Sequence, residues 1–88
     1  MGQPLNIWDK IQQGVSETER LIAQKDYNKA MIQSRQTLEV MVKALGNKAC
    51  IVESDLATTI DQLYDGRWID KSTREHYHKI RIIGNKAA

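Results

Sequence analysis

The chain holds one cysteine, one proline and no long hydrophobic run, and the first and last of these scarcities each remove a class of protein. A lone thiol at Cys50 excludes an internal disulfide and any metal site built from several thiolates. Placed near a helix end, it is expected to be a small buried hydrophobe. No apolar stretch approaches the length of a membrane span, and none follows an N-terminal basic patch as a secretory signal would. The chain therefore reads as cytoplasmic, with no membrane partner. Alternation of apolar and polar residues never persists long enough to make a sheet. Gly-rich phosphate loops, nucleophile elbows and paired catalytic carboxylates are missing too, so no cofactor is expected.

What is present is enough for one domain with one core. At 88 residues and 41% hydrophobic content, such a chain buries somewhat more than about 60% of its unfolded surface. The net charge of +2 is unevenly spread. Residues 1–65 carry seven Lys and Arg against nine Asp and Glu, giving −2, whereas residues 66–88 carry six against two, giving +4. Arg67, Lys71, Arg74, Lys79, Arg81 and Lys86 supply the basic excess. Arg74, Lys79 and Lys86 are the candidate phosphate-facing residues of that segment; the alternative is a solvated helix face. His76 and His78 do not form a metal site, because residues two apart on a helix point roughly 200° apart.

Helical periodicity accounts for almost the whole chain. Ile7/Trp8, Ile11, Val15, Thr18 and Leu21/Ile22 predict a helix over about 5–24, just after Pro4. Gln24-Lys25-Asp26 is a tight link in which Asp26 caps the next helix, so the first two are antiparallel. The second spans about 27–46 through Tyr27, Ala30/Met31, Ser34, Leu38, Met41/Val42 and Leu45, with Gly46-Asn47 as its stop. Lys48 to Glu53 is read as an apolar connection. A short helix over 54–65 follows, carrying Leu56, Ile60 and Leu63/Tyr64 and ended by Asp65-Gly66. Asp70 caps a fourth over 70–88 through Tyr77, Ile80, Ile83/Gly84 and Ala87. The fold class is all-α, a compact antiparallel four-helix bundle. Trp8, Trp68 and Tyr64 are expected as core or interface anchors.

Arg81 and Asn85 are four apart on one face of the last helix, and Arg35 and Glu39 are four apart on the second. Both pairs fall in a longer pattern: Ala30-x4-Arg35-x2-Leu38-Glu39, then Ile60-x2-Leu63, then Ile80-Arg81-x2-Gly84-Asn85-x-Ala87-Ala88. Across residues 7 to 88 this resembles an HEPN-like helical domain of uncharacterised function, of the kind fused to motor subunits of type I restriction enzymes or to zinc ribbons. In that family the ending continues directly into a histidine. The resemblance implies a piece from the N-terminal part of a larger protein. It also implies a candidate functional face of Arg81, Asn85, Arg35 and Glu39.

Two functional expectations follow from the resemblance. One is a non-catalytic accessory or assembly domain within a nucleic-acid-processing, restriction-type protein, partnered by the rest of its parent and by a second copy through the last helix. The other is a metal-independent ribonuclease, or its RNA-binding remnant, in which Arg81 and Asn85 work with a His supplied beyond Ala88. There a neutral imidazole would move the 2′-hydroxyl proton while a guanidinium stabilised charge on phosphate. A general protein-interaction bundle unrelated to nucleic acid is the third reading. In the bland alternative Arg81 simply pairs with a carboxylate such as Glu39, and Gly84 lets two helices pack closely.

Overall fold

The computed structural model describes residues 6–52 and 54–88. Four helices make up the fold: α1 (Ile7–Ala23), α2 (Tyr27–Lys48), α3 (Leu56–Asp65) and α4 (Lys71–Ala87), with no strand among the described residues. The expected helix start near residue 5, Pro4 before it and Glu53 in the connection lie outside the described residues. Each helix begins the same way. Asn6, Asp26, Asp55 and Asp70 are the N-caps, and their side-chain oxygens accept from the backbone N–H of Asp9, Lys29, Thr58 and Thr73. A donor otherwise left without a partner in each first turn is thereby satisfied.

The first three helices also end alike. Lys25, Cys50 and Arg67 take left-handed backbone conformations, with φ of 61°, 57° and 63°. After α1 the N–H of Lys25 donates to Ile22 O and that of Asp26 to Leu21 O. The same double bond closes α2 through Cys50 and Ile51, and α3 through Arg67 and Trp68. This is the Schellman arrangement, for which glycine is the usual left-handed residue. None of these three corners uses a glycine. The expected stop of α2 at Gly46-Asn47 is displaced accordingly: the helix runs to Lys48 because Gly46 stays helical and is buried, and the reversal falls at Cys50. Cys50 is exposed and not a buried hydrophobe, since a left-handed corner turns its side chain outward.

Helix α2 is the hub. It packs against α1, α3 and α4, and α3 also packs on α4, but no Cα of α1 comes within 8 Å of α3 or α4. Glycines set two of these contacts. A Cβ on Gly14 of α1 would lie 2.9 Å from the Thr37 Cβ, and one on Gly84 of α4 would lie 2.5 Å from the Arg35 Cβ and 2.9 Å from the Met31 carbonyl oxygen. The hydrophobic core lies elsewhere in the hub. Leu38 and Val42 of α2 meet Ile60 and Leu63 of α3, with Tyr77 and Ile80 of α4 packed against them. Tyr27, expected on the buried stripe of α2, is exposed.

Two stability measurements check this account. Alanine at Gly84 gains about 1 kcal/mol of helix propensity, but overpacking against a rigid carbonyl costs about 1–3 kcal/mol. Urea denaturation should therefore find Gly84→Ala less stable, by about 1 kcal/mol. Arg67→Gly should move the other way. Relief of a left-handed penalty of about 1–2 kcal/mol outweighs the extra unfolded-state freedom of glycine, about 0.4–1 kcal/mol. A lower urea midpoint for Arg67→Gly would contradict the strain assigned to that corner.

Candidate interaction groove and polar seam

The apolar arc of α1 is wider than its single neighbour can cover. At about 100° per residue, the arc from Trp8 through Val15, Ile22, Ile11 and Thr18 to Gly14 and Leu21 spans about 140°. Only its far edge, Gly14 and Leu21, is buried against α2. Trp8 is 62% exposed, Val15 47% and Ile22 50%. Trp8, Val15 and Ile22 recur every seven residues with Ile11 and Thr18 between them, which is the a/d spacing of a coiled-coil seam. The seam opens onto a groove between α1 and α4. Val15 and Thr18 form one wall, Leu38 and Met41 of α2 the floor, and Tyr77 and Ile80 of α4 the other wall. Burial pushes the Tyr77 phenol pKa upward, consistent with an apolar wall.

On the far side of α4 lies a polar seam. Asp61 of α3 accepts at one carboxylate oxygen from Arg74 Nε and from His78 Nε2, both at 2.8 Å. Arg81 Nε donates to His78 Nδ1 at 3.2 Å. Because a guanidinium N–H can only donate, Nδ1 of His78 accepts and its Nε2 carries the proton toward Asp61. The Arg74 guanidinium also lies 5.2 Å from the centre of the Tyr64 ring. Positions 74, 78, 81 and 85 share one stripe of α4, so the seam joins Arg81 to residues that sequence reading had not paired with it. Asp61 is held below the usual carboxylate range, first by the His78 hydrogen bond and then by Arg74.

The residues singled out from sequence are divided by this arrangement. Arg35 and Glu39 meet within α2 at 3.5 Å, and Glu39 also faces Lys43 at 3.3 Å. Arg81 bonds His78 and not Glu39. Asn85 is exposed and makes no side-chain hydrogen bond among the described residues. Lys79 and Lys86 share the outer face of α4, roughly 140° and 120° from Arg74, so the three candidate phosphate contacts do not form one surface. Trp8, Trp68 and Tyr64 are exposed, and none is core. As a general base, His78 is engaged at both ring nitrogens. No group of three metal-ligating side chains occurs among the described residues, and none of their helices is long and apolar enough to cross a membrane.

Sequence reading missed the groove and the Asp61–His78 contact for different reasons. The groove had a signal, the 140° arc on α1. The contact had only half of one: the stripe 74, 78, 81, 85 was visible, but nothing in the sequence places Asp61 of another helix against it.

A family model described as a domain of unknown function, DUF4145, matches residues 16–88. The chain belongs to that family. No curated protein and no solved structure matches it. The matched segment of this DUF4145 domain holds the whole polar seam, the groove floor and the α4 wall, while Trp8, Ile11 and Val15 precede it.

The seam carries a pH dependence whose sign is fixed. Asp61 has a folded-state pKa below its unfolded value near 3.9. Its contribution is complete above that value and is lost as pH falls through the folded pKa. An exposed pair of this kind is worth about 1 kcal/mol or less. Acid titration should show Asp61→Asn less stable than the native chain at pH 7, with the difference closing below about pH 4. A gap that persists at pH 2 would show that the asparagine disturbs packing instead.

Proposed function

We propose that this DUF4145 domain is a non-catalytic assembly module of a larger nucleic-acid-processing protein of the restriction type. The observation that carries the reading is the open apolar groove between α1 and α4, with the α1 seam exposed beside it. Exposed apolar residues scattered singly are ordinary, but a contiguous patch rimmed by polar residues marks an interaction surface. A helix presenting apolar residues at a/d spacing fits such a trough. The restriction-type context rests on the resemblance to HEPN-like domains through Arg35, Glu39, Arg81 and Asn85.

The ribonuclease or RNA-binding reading has weaker support from the geometry. Nε of Arg81 is already bonded within the domain, and Asp61 offsets Arg74. A cation paired with a carboxylate attracts phosphate less than a free one.

The test is to place a charge in the groove wall of the intact parent protein. Val15→Glu should weaken its assembly at least about tenfold, the equivalent of about 1.4 kcal/mol. Ile82→Glu, on the outer face of α4, should leave assembly unchanged. Native mass spectrometry reads both. Equal assembly in the native and Val15→Glu proteins would defeat the reading, as would RNA binding that falls steeply with salt and vanishes in Arg81→Ala.

A further inference from the structure

The groove lies directly alongside the exposed ridge of α1, and α1 is itself one of its walls. A surface with a ridge and a parallel groove side by side is self-complementary: a two-fold rotation about an axis along the helices sets each ridge into the other copy's groove. We propose that the occupant of the groove is α1 of a second copy of this chain. This rests on the assembly reading and names its partner.

Three features of the surface fit that occupant. The first is spacing. With the two α1 helices side by side and parallel, Ile11, Val15 and Ile22 of one copy meet the same residues of the other, the like-with-like packing of a parallel heptad seam, with β-branched Val15 and Ile22 at the a positions that favour two strands. The second is charge. Helix α1 carries two basic and three acidic residues, for −1, whereas α4 carries five basic and one acidic, for +4. Seating α1 beside the α4 of the other copy brings opposite signs together. Asp9 and Glu19, on the flank of α1 away from α2, then turn toward that basic helix. The third is the shortage of partners within the chain. Because α1 reaches only α2, the seam has no cover of its own, and every residue of it already lies within a helix, so no loop has to fold on association.

The pairing differs from one through the last helix. It places Val15 near the two-fold axis and leaves Ile82 and the outer face of α4 free.

Sedimentation equilibrium of the 88-residue chain, over a range of concentrations, tests the proposal. The native chain and Ile82→Glu should show twice the monomer mass, and Val15→Glu the monomer mass with an unchanged far-ultraviolet circular dichroism spectrum. As an independent readout, Val15→Cys in a Cys50→Ser background should oxidise to a covalent dimer, whereas Ile82→Cys in the same background should not. A native chain that stays monomeric at its highest attainable concentration overturns the proposal, as does a dimer that survives Val15→Glu or forms a disulfide at position 82 and not 15. If the native chain is monomeric while Val15→Glu still disrupts the parent assembly, the second copy is excluded and the assembly reading stands.

Discussion

The close approach of three helices to α2 is the constraint on which the remaining structure depends. Two of those approaches run through glycines. Gly14 lets α1 descend onto Thr37, and Gly84 lets α4 descend onto Arg35 and the Met31 carbonyl. With α4 held at that depth, Tyr77 and Ile80 reach the cluster formed by Leu38, Val42, Ile60 and Leu63. The same placement swings the next stripe of α4 toward α3, where Asp61 receives Arg74 and His78. A glycine in a helix costs about 1 kcal/mol relative to alanine, and here the return is the backbone proximity that organises the domain.

Geometry also distributes the polar residues between structure and surface. Asp61, Arg74, His78 and Arg81 form one hydrogen-bonded chain across α3 and α4, and Arg35 leans on Glu39 along α2. These contacts are half exposed and individually worth little, but those between α3 and α4 together fix how the two helices sit on one another. The apolar surface has the opposite character. Its most exposed side chains, Val52 and Trp8, are not needed by the core. What the domain offers to other molecules is therefore shape and apolar area beside a basic last helix.

Much of this was legible in the sequence, and what was not has physical causes. Four helices, the caps at Asp26 and Asp70 and the role of Gly84 could all be read from periodicity and from the chemistry of single residues, because helix formation and capping are local. The end of α2 was misplaced by two residues because Gly46 looked like a stop; the true corner uses Cys50, a residue type with no left-handed preference. Burial of Tyr27 was overestimated because an apolar stripe says which face is oily but not how many neighbours cover it, and that of Cys50 because its residue type does not reveal the corner it occupies. The pairing of Asp61 with His78 spans seventeen positions, and no local pattern encodes it. The functional face was drawn from the resemblance, which supplied Arg81 and Asn85 but neither the groove nor its occupant.

The attachment of α1 has a dynamic consequence. None of the residues in the buried cluster belongs to α1, and a three-residue link and one helix face are all that join it to the rest. Such an element can detach as a unit while α2, α3 and α4 stay folded. Its backbone amides would then exchange with solvent through a partial opening of lower free energy than global unfolding. Anything that covers the outer face of α1 therefore stabilises it by mass action, tying the order of that helix to the occupancy of the groove.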